Sequence, residues 1–207
     1  MQSLNYKNFR IGLILSMLCA LALFIFSFFL GKNNFFLLLN ADLGIFADYF
    51  FRFFSDLGNG LLWIPLLVYF IYSGRKKLLP FLISCFALTT LLTQACKYLI
   101  VPDELRPTAA ITTEFIHTVK GVTVHATASF PSGHTATAFV FYFIFCLVIK
   151  NDWWLIVGLL YALMVGYSRI YLAQHFPLDV AGGIIVAIVS VIFSLIIQNK
   201  IDKRKTQ

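Results

Sequence analysis

Long apolar runs alternate with short polar segments along the whole chain. The pattern predicts six membrane-spanning helices, with approximate ranges 11–30, 60–74, 78–100, 135–150, 153–174 and 178–198. Most of these runs reach the roughly 20 residues that a helix needs to cross the hydrocarbon of a bilayer. The pattern therefore predicts an all-α, polytopic membrane protein, a six-transmembrane-helix bundle that forms one domain over residues 1–207.

One further segment, 42–57, carries an apolar and a polar stripe at helical spacing. The apolar stripe is Leu43, Phe46, Phe50, Phe53 and Leu57, and the polar stripe is Asp48, Arg52, Ser55 and Asp56. Such a pattern is typical of a helix that lies in a membrane interface. We expect an interfacial helix between spans one and two, which serves as an anchor or packing element or guides a lipid towards a site.

The composition agrees with a membrane protein. Hydrophobic residues make up 60% of the chain and charged residues 12%, whereas a soluble domain has roughly 45–50% and about 25%. The four cysteines all lie in apolar runs and are interpreted as small buried hydrophobes, without a disulfide or a metal cluster. The net charge of +7 is explained by membrane topology and does not indicate a nucleic-acid partner.

The basic residues predict the orientation. Ten of the sixteen fall on one side of the predicted spans, and these are Lys7, Arg10, Arg75, Lys76, Lys77, Lys150, Lys200, Lys203, Arg204 and Lys205. The positive-inside rule places that side in the cytoplasm, so both termini are predicted to be cytoplasmic. A short six-span chain is typical of a bacterial inner-membrane protein, whose outer side faces the periplasm.

Three polar clusters lie where predicted spans meet the outer side. The first is Lys97 with Arg106-Pro107, the second is Pro131-Ser132-Gly133-His134, and the third is Ser168-Arg169 with His175 and Asp179. Spans three and five end outside and spans four and six begin there, so the topology brings the clusters together. Ionisable groups at the ends of spans are costly unless they are paired or functional.

The cations and the turn at Ser132 together suit a phosphoryl group. Lys97, Arg106 and Arg169 supply three positive charges, and the charge of a transferred phosphoryl group is spread over three oxygens. An alternative is that Asp103 or Glu104 neutralises some of these cations. Ser132 and Gly133 follow Pro131 at a predicted helix start, where free backbone N–H groups bind anions. These residues are the candidate phosphate-binding set.

Two histidines are candidates for catalysis. His175 lies four residues before Asp179, and a carboxylate there can orient the imidazole and stabilise its cation while the other nitrogen attacks phosphorus. His134 follows the anion-binding turn and can protonate the leaving oxygen. His117 and His125, in the long loop of 101–133, are interpreted as interfacial or packing residues.

The clusters resemble the type-2 phosphatidic acid phosphatase family, which belongs to a haloperoxidase-like superfamily. Its pattern is Lys-x6-Arg-Pro, Pro-Ser-Gly-His and Ser-Arg-x5-His-x3-Asp. The second and third parts are complete at 131–134 and 168–179. The first part departs, because eight residues separate Lys97 from Arg106, and we expect the two extra residues in a loop around 102–103.

The resemblance covers about 59–198 and implies a site near the outer membrane–water interface. It implies that His175 is the nucleophile that forms a phosphohistidine, that His134 is the general acid, and that no metal or other cofactor is needed. The implied activity is hydrolysis of a membrane lipid phosphate. The candidate substrates are undecaprenyl diphosphate, phosphatidylglycerophosphate, phosphatidic acid and a lipid A phosphate.

Three alternatives remain open from the sequence. A phosphotransferase would pass the same phosphoryl group to an alcohol acceptor. A vanadium haloperoxidase shares this anion site, but those relatives are soluble and six spans argue against it. An anion channel or transporter would explain Lys97, Arg106 and Arg169, but not the pairing of His175 with Asp179.

The predicted orientation can be tested by labelling single cysteines in a variant that lacks the four native ones. We expect Thr118→Cys to react with a membrane-impermeant thiol reagent in intact cells, because the 101–133 loop is predicted outside. Lys203→Cys should react only after lysis. The reverse labelling would invert the topology and place the polar clusters on the cytoplasmic side.

Overall fold

The computed structural model describes residues 4–204, apart from the side chain of Thr113; the predicted cytoplasmic Lys205 lies outside this range. The described residues form nine α-helices and no strand. The helices are α1 Tyr6–Leu30, α2 Lys32–Leu39, α3 Ile45–Asp56, α4 Trp63–Tyr72, α5 Leu79–Ala95, α6 Pro107–Ala110, α7 Gly133–Val148, α8 Trp154–Tyr171 and α9 Pro177–Arg204. The all-α prediction is confirmed.

Four helical stretches among the described residues are long and apolar enough to cross a membrane. They are Tyr6–Leu30, Lys76–Ile100, Trp154–Tyr171 and Pro177–Arg204. A fifth is possible if Ile45–Asp56 and Gly60–Tyr72, which meet at a bend of 49°, form one broken span. The polytopic membrane architecture is therefore confirmed, whereas the number of six spans stays a prediction.

The segment predicted as an interfacial helix contains α3. Its apolar stripe is open, with Phe46 90% exposed, while Phe51 and Ser55 are buried on the opposite side. Phe51 stacks at an angle on Tyr167 and Tyr171 of α8, with ring centroids 5.0 and 4.6 Å away. The interfacial placement of α3 stays a prediction, because the same helix is part of the bent pair Ile45–Asp56 and Gly60–Tyr72.

Helix boundaries differ from the predicted spans at both ends of the chain. α1 begins at Tyr6 and is followed, after Gly31 at a φ of 82°, by the separate helix α2, which was not predicted. α9 continues to Arg204, beyond the predicted end at 198. A run of apolar residues indicates only the part of a helix that suits hydrocarbon. Polar residues can extend the helix into water, and the apolar run does not show where that extension ends.

α7 is the central helix. Twelve of its 16 residues are buried, and it packs mainly against α8, α9 and α1. Because other helices enclose α7, it needs apolar residues on all of its sides. It is nevertheless shorter than a typical membrane span.

The N-terminal ends of α7 and α9 meet at one end of the bundle. The Ser132 N–H donates to the carbonyl oxygen of Asp179 at 2.9 Å. One turn further along α9, a Cβ atom on Gly183 would lie 2.6 Å from the carbonyl oxygen of Ser132 and 2.9 Å from Cβ of Thr135. A glycine is therefore required where α9 crosses the first turn of α7.

We predict that Gly183→Ala separates the two helix ends. The added methyl group meets backbone that cannot rotate away, and overpacking of this kind costs about 1–3 kcal/mol. Thermal unfolding of the purified protein should show a lower Tm. Gly60→Ala is the matched control, because nothing lies within 4 Å of a Cβ atom there. Equal Tm values for the two variants would contradict the close packing.

Candidate active site

A cavity of about 420 Å³ opens at the end of the bundle where α7 and α9 meet. Residues of α3, α7, α8, the helical stretch Lys76–Ile100 and the loop after α6 line it. Six of the eight predicted site residues are among them: Lys97, Arg106, Gly133, His134, Arg169 and His175. Ser132 and Asp179 are not part of the lining and are fully or almost fully buried behind it.

His175 and Asp179 form a buried pair. Nδ1 of His175 lies 3.4 Å from Oδ2 of Asp179. The same carboxylate oxygen accepts hydrogen bonds from Oγ of Ser129 at 2.5 Å and from the Phe176 N–H at 2.8 Å. Burial lowers the pKa of the His175 imidazole, and Asp179 opposes this shift. Burial therefore favours the neutral imidazole, whose Nε2 is the nitrogen that does not face Asp179.

Arg106 and Lys97 are held by neutral oxygen atoms. Arg106 donates from Nη1 to the carbonyl and side-chain oxygens of Gln174, at 3.1 and 3.2 Å, and from Nε to the carbonyl oxygen of Thr127 at 3.0 Å. Nζ of Lys97 donates to the carbonyl oxygen of Ala128 at 2.5 Å. Nη2 of Arg106 reaches the same carbonyl at 3.5 Å. The eight-residue spacing thus still brings both cations to one backbone segment, after a turn at 101–103.

The carbonyl shared by these two cations belongs to a residue in an unusual backbone conformation. Ala128 has a φ of 55°, in the left-handed region that residues with a Cβ rarely adopt. Such conformations persist where the surroundings enforce them, often at functional sites. Here the residue in this conformation is the one whose carbonyl oxygen accepts from both Lys97 and Arg106.

Arg169, at the end of α8, is 8% exposed. Its Nη1 donates to Oγ of Ser55 on α3. Its Nε has no hydrogen-bond partner among the described residues. A buried donor without an acceptor costs free energy of folding. Because Arg169 lines the cavity, an anion bound there could accept from this N–H.

The three cations keep their charge uncompensated at short range. Within the described part of the chain, none of them has a carboxylate oxygen within 4.0 Å. Glu104, which was considered as a partner, instead pairs with Lys32, whose Nζ also lies 4.1 Å from the ring centroid of Phe176. The alternative that Glu104 neutralises the cations is therefore wrong for this structure.

The first turn of α7 lies next to these cations. Oγ of Ser132 accepts from the N–H and the hydroxyl of Thr135, at 3.4 and 2.9 Å, and so caps the helix. Both contacts use Ser132 as an acceptor, and Gly133 is the residue next to it that lines the cavity. His134 is half-buried and its side chain makes no hydrogen bond within residues 4–204, so its ring remains available to a ligand.

Several residues of the site were not predicted from sequence. Ser129 binds Asp179, Gln174 binds Arg106, and Ser55 binds Arg169. His125, interpreted as a packing residue, lines the cavity together with Arg52. Ser55 and Arg52 belong to the polar stripe of α3, which was a usable signal, whereas Ser129 and Gln174 lie beside the motifs without any distinguishing pattern.

One group of metal-ligand side chains occurs in the described residues, and it lies outside the cavity lining. Asp42, Asp48 and His117 place ligand atoms within 4.8 Å of one another. These groups are already engaged, because Oδ1 of Asp48 lies 3.1 Å from Nε2 of His117 and accepts from the Tyr171 hydroxyl at 2.7 Å. The cluster connects α3 with α8 and the long loop.

Two curated proteins resemble parts of the chain. An undecaprenyl-diphosphatase of Sulfolobus acidocaldarius is 30% identical over 135 residues, which is 63% of this chain and 61% of that protein. The undecaprenyl-diphosphatase BcrC of Bacillus subtilis is 38% identical over 74 residues, 35% of this chain and 37% of that protein. The matched regions thus cover less than two thirds of either relative.

A solved structure agrees with the fold. The crystal structure of LpxE from Aquifex aeolicus superposes with a TM-score of 0.65 at 31% identity, covering 77% of this chain and 92% of that one. The model of the PAP2 superfamily matches residues 78–203, which include every candidate site residue named from the three motifs. The chain therefore belongs to the PAP2 superfamily, as its resemblance to type-2 phosphatidic acid phosphatases predicts.

Proposed function

We propose that this protein is a lipid phosphatase that hydrolyses a phosphate ester or diphosphate of a membrane lipid. The observation that carries the proposal is the convergence of Lys97, Arg106 and Arg169 on one cavity with the His175–Asp179 pair. The cations suit the phosphoryl oxygens, and the imidazole suits attack on phosphorus. The names of the two curated relatives favour undecaprenyl diphosphate among the candidate substrates.

In the first step, Nε2 of His175 attacks phosphorus and the bond from phosphorus to the leaving oxygen breaks. The electron pair of that bond goes to the leaving oxygen, which takes a proton from His134. Asp179 stabilises the positive charge on the His175 ring through Nδ1. The product of this step is a phosphohistidine and the released lipid, which is an alcohol from a monoester or a lipid monophosphate from a diphosphate.

In the second step, water attacks the phosphohistidine. His134 accepts a proton from this water, the phosphorus–nitrogen bond breaks, and its electron pair returns to Nε2 of His175. Inorganic phosphate leaves and the site is restored. Gly133 at the first turn of α7, the orphan Nε–H of Arg169 and the other cations would hold the non-bridging oxygens throughout.

The proposed reaction needs no metal ion. The three side-chain cations supply the positive charge that a divalent ion supplies at other phosphoryl-transfer sites. The acidic residue that lines the cavity is Asp56, whereas magnesium and calcium sites use several oxygen ligands. Metal independence is therefore part of the proposal.

We further propose that the cavity faces the outer side of the inner membrane, with both termini in the cytoplasm. The excess of Lys and Arg on the opposite side of the predicted spans supports this orientation. A lipid would then reach the cavity from the outer leaflet, along the exposed apolar stripe of α3.

The direct test is phosphate release by purified protein from undecaprenyl diphosphate, phosphatidylglycerophosphate, phosphatidic acid and a lipid A phosphate. We expect release from at least one lipid, unchanged by EDTA, and its loss by many orders of magnitude in His175→Ala because the nucleophile is gone. Lys120→Gln is the control, since Lys120 is exposed and does not line the cavity. Full activity in His175→Ala would refute the mechanism, and reversible inhibition by EDTA would refute metal independence.

The role of His134 predicts a dependence on the leaving group. An alkoxide needs a proton, whereas the lipid phosphate released from a diphosphate is a weak base, with a pKa of about 6 for a phosphate monoester. His134→Ala should lower kcat/KM for undecaprenyl phosphate by roughly 10²–10⁴-fold, the range of general-acid catalysis, and by less for undecaprenyl diphosphate. An equal loss on both lipids would argue against His134 as the acid.

A further inference from the structure

Arg52 is a fourth cation in the cavity and belongs to none of the three motifs. It lies on α3 and lines the cavity together with Ser55 and Asp56 of the same helix. Its side chain makes no ion pair or hydrogen bond within residues 4–204, although Asp56 is only four residues away. An unpaired guanidinium next to an anion site is available to a ligand.

The position of Arg52 relates it to the other cations. Ser55, which binds Arg169, follows Arg52 by three residues on α3, so the two residues are separated by about 4.5 Å along the helix axis. Gly121, at a φ of 83°, faces Arg52, and a Cβ atom there would lie 3.6 Å from Nη1. The lack of a side chain at Gly121 leaves space beside the guanidinium.

The same helix also carries an exposed apolar stripe. Phe46, Phe50 and Phe53 are 90%, 47% and 58% exposed, as expected for an apolar stripe in contact with acyl or prenyl chains. Arg52 therefore lies on a helix that combines an exposed apolar stripe with residues that line the cavity. A group bound by Arg52 would lie between the attacked phosphorus and the lipid tail.

We propose that Arg52 forms a second phosphate subsite, which binds the lipid-side phosphate of a diphosphate substrate. This inference rests on the proposed function. When His175 attacks the terminal phosphorus, the lipid-side phosphate is the leaving group and gains negative charge as the bridging bond breaks. Arg52 neutralises that charge and thus favours a lipid diphosphate over the monophosphate of the same lipid, which has no second phosphate to bind.

The test compares undecaprenyl diphosphate with undecaprenyl phosphate on the purified full chain. Arg52→Gln should lower kcat/KM for the diphosphate by roughly 10- to 100-fold, the range expected for losing a hydrogen bond to a charged group. It should change kcat/KM for the monophosphate by less than about twofold, given the absence of that contact. Arg52→Lys should fall between the wild type and Arg52→Gln, because it keeps the charge but loses the bidentate geometry.

The matched control is Lys120→Gln, which removes another exposed cation on the predicted outer side that does not line the cavity. It should leave the ratio of the two kcat/KM values unchanged. An equal loss on both lipids in Arg52→Gln, or no loss on either, would overturn the subsite. Retained turnover of the monophosphate in Arg52→Gln serves as the evidence that the variant is folded.

The two proposals fail in distinguishable ways. If the wild type releases phosphate from none of the four lipids in the panel, the proposed function fails and the subsite fails with it. If the wild type acts in a His175-dependent manner but Arg52→Gln affects both undecaprenyl lipids alike, only the subsite fails. A wild type that hydrolyses the monophosphate and not the diphosphate would also overturn the subsite and leave the phosphatase proposal intact.

Discussion

The candidate site depends on burying cations without pairing them with carboxylates. Arg106 and Arg169 are both 8% exposed, and removing such charges from water is expensive unless polar groups replace the water. In this protein, neutral oxygens accept hydrogen bonds from the buried guanidinium groups. These are the carbonyls of Thr127 and Gln174 for Arg106 and the hydroxyl of Ser55 for Arg169. Neutral acceptors solvate a guanidinium without cancelling its charge, so the field in the cavity stays positive.

Two carboxylates near the site are engaged away from its cations. Glu104 is engaged by Lys32. Asp179 is buried behind His175, where Ser129 and the Phe176 N–H satisfy its Oδ2 atom. The negative charge next to the proposed nucleophile therefore lies against its ring, with Oδ2 of Asp179 3.4 Å from Nδ1 of His175. This division of charge is what allows one small cavity to combine anion binding with a carboxylate-supported imidazole.

The fold serves this arrangement through close helix packing at one end of the bundle. Gly183 lets α9 approach the backbone of Ser132. The hydrogen bond from the Ser132 N–H to the Asp179 carbonyl then joins Asp179 to the first turn of α7. α3 closes the other side of the cavity through Ser55 and Arg52. The site is thus built from helices that are far apart in the sequence, and its geometry is as rigid as their packing.

The sequence by itself determined the helical class, the polytopic membrane character and the three motif clusters. Apolar run length and local residue spacing carry that information, since both act over a few helical turns. It did not determine the broken helix pair, the separate helix α2, or the partners Ser129, Gln174 and Ser55. Those contacts join residues separated by as many as 114 positions. Only the tertiary structure decides which neutral oxygen meets which buried cation, because a pattern such as the polar stripe of α3 marks a helix face but not the residue that the face contacts.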